Sequence, residues 1–295
     1  MDYVISCCSP ADLPVQRFHE RGVKVKNYKF MLADEIFEDD GGKSIALKDF
    51  YQAMRDGAST KTSQVNIEEF IEYFRDLLKN ENKDILHVSL SSGISGTYNS
   101  ARLAAESLKD EFPKRKIYVV DSLAASGGYG FLVDLLCDLR DQGYGFNKLV
   151  SFAEENKLRV HHWFYSTDLS FYVKGGRISK VSGFIGSILK ICPVMNVNFE
   201  GKLIPRVKTM GKKKAMQTTV QKMLDFADDG VNYDGKCIIN HSDCLDDALD
   251  LKASVEGNFP NLEGKIIMTD IGTTIGCHSG PGTVAIYFLG KKRDD

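Results

Sequence analysis

The stretch Ile85-Leu86-His87-Val88-Ser89-Leu90-Ser91-Ser92-Gly93-Ile94-Ser95-Gly96-Thr97-Tyr98 decides the fold class. An apolar run from Ile85 to Leu90 is the right length for a buried strand, and the residues from Tyr98 to Leu108 carry helical spacing. Between them lie two glycines and several hydroxyls. A strand that passes through a small polar loop directly into a helix is the repeating unit of α/β proteins. Working outward, the same alternation recurs. Tyr3–Ser6, Val23–Lys26 and Ile117–Val120 read as short apolar strands of a largely parallel sheet. Helices are predicted over Leu47–Arg55, Ile67–Lys79 and Leu123–Arg140.

Beyond a helix predicted over Phe146–Lys157, a second set begins, with strands at Val160–Tyr165, Val194–Phe199, Lys236–Asn240, Lys265–Thr269 and Thr283–Leu289. Long helices fall over Lys212–Ala227 and Leu245–Val255. At 295 residues the chain sits where single cores stop growing. Two domains are therefore expected, an N-terminal βα domain over 1–158 and a C-terminal α/β domain over 159–295.

Composition narrows the function. Thirty-eight Lys and Arg against 40 Asp and Glu leave a net charge of −2, without the basic footprint of a nucleic-acid or anionic-membrane binder. No eighteen-residue apolar run occurs, and the first residues lack the pattern of a secretory signal. Seven cysteines without a CxxC pair fit a reducing compartment, so a cytoplasmic location is expected.

Several motifs fail on inspection. Gly42-Lys43-Ser44 resembles the end of a phosphate loop, but Phe37 stands where its first glycine belongs. Gly128-Tyr129-Gly130 has Val133 in place of a third glycine. His161 and His162 are adjacent on a strand and face opposite ways, so no metal site is expected from them.

Three polar clusters do carry chemistry: Thr60–Gln64, Ser91–Thr97 and Gly272–Gly282, each at a strand end or helix start. The second has the clearest mechanics. Gly93 and Gly96 admit close approach by a ligand, the following helix offers unpaired N–H groups to an anion, and Ser95 adds a hydroxyl. Capping of the helix by Ser95 or Thr97 accounts for the same residues. A serine acyl-ester hydrolase, with Ser95 as nucleophile and His278 as base, is the alternative reading. Its G-x-S-x-G elbow is incomplete because position 97 is Thr.

Thr62-Ser63-Gln64, Ser91–Tyr98, Asp121-Ser122, Gly175-Gly176-Arg177-Ile178-Ser179 and Gly276-Cys277-His278-Ser279-Gly280-Pro281-Gly282 occur in the order and spacing of the DegV family, which the chain strongly resembles along essentially its whole length. The resemblance implies a two-domain α/β protein that binds one long-chain fatty acid, such as palmitate, stearate or oleate, and is itself non-catalytic. It is similar to the bacterial fatty-acid-binding subunits, called FakB, that present the carboxylate to a separate ATP-using fatty acid kinase subunit for acyl-phosphate formation. A fatty-acid-sensing regulatory protein is a further alternative. By the family pattern Thr62 and Ser95 hydrogen-bond the carboxylate and His278 lies close by, with Ser63, Gly96, Thr97 and Arg177 as site-lining candidates.

For the acyl chain, Phe184, Ile185, Ile188, Leu189 and Ile191 form a candidate wall, although by residue type ordinary core is the stronger reading for them. About fifteen methylenes at about 0.8 kcal/mol each would supply most of the affinity, and the hydroxyl contacts the orientation. Two departures stand out. Cys8-Ser9-Pro10 replaces the family's Asp-Ser-Thr, and Met210 replaces an arginine in the motif Met210-Gly211-Lys212-Lys213-Lys214-Ala215.

Overall fold

A computed structural model describes residues 2–178 and 191–294. The first sheet is four-stranded and wholly parallel. It comprises β1 (Tyr3–Cys8), β2 (Lys24–Lys26), β6 (Asp84–Ser89) and β7 (Ile117–Asp121) in the order β2-β1-β6-β7. The crossovers leave β1 on one side and reach β6 on the other, so the strand order reverses between those two strands. Ligands of open α/β sheets bind beyond the carboxyl ends of strands at such a reversal. The loops Cys8–Asp12 and Ser91–Thr97 emerge there.

A small antiparallel sheet lies between these strands in sequence, formed by β3 (Lys29–Leu32), β4 (Glu35–Glu38) and β5 (Thr60–Ser63) in the order β4-β3-β5. The third sheet has six strands, β8 (Val160–Ser166), β9 (Val194–Val197), β10 (Leu203–Val207), β11 (Cys237–His241), β12 (Ile267–Asp270) and β13 (Thr283–Leu289), in the order β10-β9-β8-β13-β11-β12. Only β11 and β12 pair in parallel; the remaining pairs are antiparallel. The chain is thus a two-domain α/β protein with one parallel and one mixed sheet.

The helices are α1 (Val15–Glu20), α2 (Leu47–Arg55), α3 (Ile67–Glu81), α4 (Thr97–Ser107), α5 (Ser126–Asp141), α6 (Phe146–Asn156), α7 (Ser170–Lys174), α8 (Lys212–Phe226), α9 (Leu245–Asn258) and α10 (Thr273–Ser279). Local chemistry sets their ends. In α3, Asn66 and Glu69 form a reciprocal capping box, and Phe70, Phe74 and Leu78 bury one face at four-residue spacing. In α4 the buried face is built of Ala101, Ala104 and Ala105, which lets the helix sit close on the parallel sheet.

The strand and helix predictions agree with these elements to within a few residues. The largest shifts are in α9, which runs on to Asn258 instead of Val255, and in α5, which starts at Ser126 instead of Leu123. Its first turn packs so closely on the six-stranded sheet that a Cβ on Gly127 would meet Asn240 and Tyr287, and one on Gly128 would meet the His162 ring. That close approach is the work of Gly127 and Gly128, whereas Gly130 admits the Ala11 carbonyl and Leu13. Helix α5 packs against β1 as well as β8, β11 and β13, and one continuous apolar core includes Ile5, Leu86 and Leu132 together with Phe164, Met195 and Ala285.

A candidate binding cavity between the sheets

Thr60–Gln64 reads in sequence only as a polar turn before α3. In the structure Thr60–Ser63 is a strand whose alternate residues point inward. Thr60 Oγ1 donates to the Cys277 carbonyl at 3.1 Å, fastening the small sheet to α10. A core of Phe30, Phe50, Tyr51, Met54 and Cys277 fills the space behind it. Two residues further along the strand, Thr62 Oγ1 lies 2.8 Å from His278 Nε2, although 216 positions separate the residues. The antiparallel small sheet is the device that brings the first and third polar clusters together.

The second cluster arrives from the parallel sheet. Ser95 Oγ donates to Thr97 Oγ1 at 3.0 Å and accepts from the Thr97 backbone N–H at 3.3 Å, while Tyr28 Oη donates to Thr97 Oγ1 at 2.5 Å. Ser95, one residue before the N-cap Gly96, thus accepts the first N–H of α4, and Gly96 itself brings no side-chain cap. Thr62, Ser95, Gly96, Arg177 and His278 all line one cavity of about 550 Å³, within the range of about 300–1,000 Å³ usual for small-molecule sites. Thr97 is buried behind Ser95. Ser63 faces outward, its hydroxyl donating to the Lys29 carbonyl at 3.3 Å, because neighbours on a strand point to opposite sides.

Away from the hydroxyls the walls are apolar, with Leu90, Phe164, Val197, Leu203, Ile271 and Ile275 prominent. The acyl-wall candidates Phe184, Ile185, Ile188 and Leu189 lie outside the described residues; Ile191 is half-buried and bridges to Met210. Sequence reasoning passed over several other cavity residues. Tyr28, Ser126 and Tyr172 belong to separate elements and share no spacing that marks them, whereas Thr274 comes from the third polar cluster; His162 reads in sequence only as a rejected metal ligand. His162 Nδ1 lies 3.1 Å from the Val160 carbonyl and Nε2 lies 3.4 Å from the Ala125 N–H, which assigns the proton to Nδ1. Among the described residues no group of three or more His, Cys, Asp or Glu side chains is placed to hold a metal ion.

Electrostatics at the polar end follow from burial. Desolvation, helped by the Arg177 guanidinium, lowers His278 to about 4, so the ring is neutral at pH 7. Its Nδ1 faces Gly175 and has no hydrogen-bond partner among the described residues, while Arg177 donates to the Gly175 carbonyl at 2.5 Å. Burial also lowers the Arg177 guanidinium below its usual range, but it remains protonated at neutral pH. A neutral imidazole, two hydroxyls and a half-buried guanidinium therefore line one cavity, with no Asp or Glu among its described lining residues. The imidazole of His278 is bonded to Thr62 and the hydroxyl of Ser95 to Thr97.

The departures Cys8 and Pro10 lie off this cavity. Cys8 is fully buried, its N–H donating to Tyr129 Oη at 2.7 Å, and Ser9 Oγ accepts from the Tyr28 N–H at 3.0 Å. The buried carboxylate near this strand end belongs to Asp12, which accepts from Ser126 Oγ and from the Gly272 N–H at the start of α10.

These features define a class, a two-domain α/β protein with a cavity lined jointly by polar groups from separate segments and by apolar walls. Residues 6–291 match the DegV family, described as an uncharacterised protein family, and the chain belongs to it. It is 34% identical to a DegV domain-containing protein of Clostridium perfringens, over 99% of both chains. Among solved structures it resembles a fatty-acid-binding DegV family protein from Thermus thermophilus, with a TM-score of 0.86 and 27% identity over 99% of this chain and all of the other. It shares its fold with the fatty acid kinase B3 protein of Streptococcus pneumoniae loaded with linoleic acid, at a TM-score of 0.82 and 22% identity over 99% and 100% of the two chains. Among the described residues no helix is long and apolar enough to cross a membrane.

Proposed function

We propose that this chain is a non-catalytic cytoplasmic carrier of one long-chain fatty acid. The carboxylate is held by Thr62 and Ser95, with His278 beside it and Arg177 supplying the nearby positive charge, and the acyl chain lies along the apolar walls. The observation that carries this reading is the single cavity with a hydroxyl, imidazole and guanidinium cluster at one end. A tail of that length contributes up to about 12 kcal/mol from methylene burial, before losses of ligand freedom reduce it, so the apolar end supplies affinity and the polar end orientation.

Presentation of the acid to an ATP-using kinase subunit for acyl-phosphate formation belongs to the same proposal. It draws on family membership and on the likeness to the fatty acid kinase B3 protein. Met210, exposed where the family has an arginine, and Lys212, engaged with Asp247 at 2.7 Å, mark the surface on which this chain departs from the family pattern. The hydrolase alternative is disfavoured by His278 being bonded to Thr62 instead of Ser95 and by its Nδ1, which meets no third triad member among the described residues.

Native mass spectrometry of protein made in bacteria, followed by denaturing extraction, tests the proposal. One C14 to C18 acid per chain is expected. Ligand-free protein that also fails to take up added oleate would overturn it, as would labelling of Ser95 by a fluorophosphonate probe.

A further inference from the structure

Helix α10, which brings Thr274 and His278 to the cavity, is tied at its first turn to both of the other sheets by carboxylates. Asp12, just beyond β1, accepts from the Gly272 N–H at 3.0 Å and from Ser126 Oγ. Asp39, the residue after β4, accepts from Thr273 Oγ1 at 2.8 Å. The two acids thus grip consecutive residues of one chain.

Three observations set this pair apart. Asp12 and Asp39 are only 6% and 4% exposed. A Cβ on Gly272 would meet Asp12 Oδ1 at 2.6 Å and Asp39 Oδ1 at 3.2 Å, so both carboxylates crowd one point. Asp39 Oδ2 has no hydrogen-bond partner among the described residues. The titratable groups that face the pair are Asp270 at the end of β12, Tyr51 on α2, Tyr287 on β13, Tyr28 before β3 and Cys277 on α10. Burial keeps those tyrosines and Cys277 neutral, and His241, 3.5 Å from Asp270, lies on the far side of that carboxylate. Among the described residues no cation forms an ion pair with either Asp12 or Asp39. Two ionised carboxylates side by side in such surroundings are unfavourable. Burial first, and then the charge of Asp39, push Asp12 well above the usual carboxylate range.

We infer that Asp12 and Asp39 are positioning residues of the cavity, a carboxyl–carboxylate pair that shares one proton and fixes the first turn of α10, and with it His278 one turn further on, for the ligand's carboxylate. What the pair positions rests on the fatty-acid reading; the shared proton does not. The folded chain holds this proton more tightly than an unfolded chain with ordinary aspartates. Stability and site geometry are therefore lost as pH rises through the pair's upper titration, when two charges repel across Gly272. Towards acid the pair offsets part of what the three buried histidines lose.

Infrared spectroscopy of the delipidated full-length protein tests the proton. Ordinary aspartates and glutamates are ionised at pH 7, so the carbonyl stretch of a protonated carboxyl marks the pair. The band is expected in the wild type and should be lost or shifted in Asp39→Asn. Its absence, or a band that Asp39→Asn leaves unchanged, overturns the inference. Titration of a fluorescent fatty acid at pH 7.0 and 9.5, where the buried histidines are already neutral, tests the positioning. Wild-type affinity should fall about tenfold at the higher pH, equivalent to a one-unit difference in the pair's titration between free and loaded protein. Asp39→Ala should weaken binding at both values, whereas Asp39→Asn, which keeps an acceptor for Thr273 and cannot ionise, should restore it and flatten the pH dependence. Equal wild-type affinity at the two values, or a dependence that Asp39→Asn retains, overturns the positioning role. Wild-type protein that takes up no fatty acid at either pH would overturn the carrier reading instead, and the infrared band still decides the shared proton.

Discussion

Replacing Thr62 by valine removes one hydroxyl and little else. Valine is β-branched and close to threonine in shape, so β5 keeps its strand preference and its pairing with Phe30. Two losses follow from the geometry. The proposed carboxylate loses a donor, and a hydrogen bond to a charged acceptor contributes roughly 1.5–3 kcal/mol, or about ten- to a hundredfold in affinity. His278 Nε2 also loses its 2.8 Å partner. Because Nδ1 already lacks one, the ring is left without protein hydrogen bonds, at a stability cost of about 1–3 kcal/mol. Titration of a fluorescent fatty acid and a thermal melt separate the two effects. The expected outcome is a large loss of affinity with a smaller fall in melting temperature. Wild-type affinity in Thr62→Val would refute the assignment of the polar end, whatever the melt shows.

Other perturbations test neighbouring parts of the argument. Gly175→Ala keeps an ordinary backbone, φ −72°, but places a methyl against His278 Nδ1; pushing the ring off Thr62 should weaken binding by about tenfold in the same titration, with an overpacking cost of about 1–3 kcal/mol in the melt. Ser95→Ala should lose affinity as Thr62→Val does, while loss of its capping contact lowers stability by only about 1 kcal/mol; a collapse of stability with unchanged affinity would make capping its whole role. His278 and His87 are lowered to about 4 and about 3, so below pH 6.5 the unfolded chain binds protons that the folded chain refuses. Their contribution is complete above pH 6.5 and shrinks as pH falls towards 4, by about 1.4 kcal/mol for each ring at pH 5.5. Melts at pH 7.0 and 5.5 should show that drop, to which His162, likewise pushed down by burial, adds; His278→Gln should therefore remove only about a third of it. Finally, six of the seven cysteines are buried and Cys244 is half-buried with its thiol pushed up to about 12, so a thiol reagent should reach at most Cys244 in the native protein and all seven in denaturant.

How much of this was legible depended on whether the deciding interaction was local. The strands such as Ile85–Leu90 and Thr283–Leu289 declare themselves because a strand buried on both faces is predominantly apolar, even with His87 and Ser89 buried in the first of them. The small sheet does not. Lys29–Leu32, Glu35–Glu38 and Thr60–Ser63 mix charged and apolar residues, and what makes them strands is pairing with one another across intervening sequence, with a helix between β4 and β5. The polar clusters were visible as loops rich in glycine and hydroxyls, but nothing in their spacing joins Thr62 to His278. Only the family resemblance suggested that meeting, and the pairing of β5 with β3 explains it. The apolar walls drew one or two residues from each of many elements, so no single segment carried their pattern. His162 illustrates the reverse error of emphasis. The alternation argument that removed it from a metal site is the same one that turns it towards the cavity.

A crystal structure of the protein as purified from bacteria tests the central claim most directly. The account predicts one acyl chain along Phe164, Val197 and Ile275, its carboxylate oxygens within about 3.2 Å of Thr62 Oγ1 and Ser95 Oγ and close to His278. A cavity that stays empty after soaking with oleate, or a chain bound with its carboxylate at the opposite end, would contradict it.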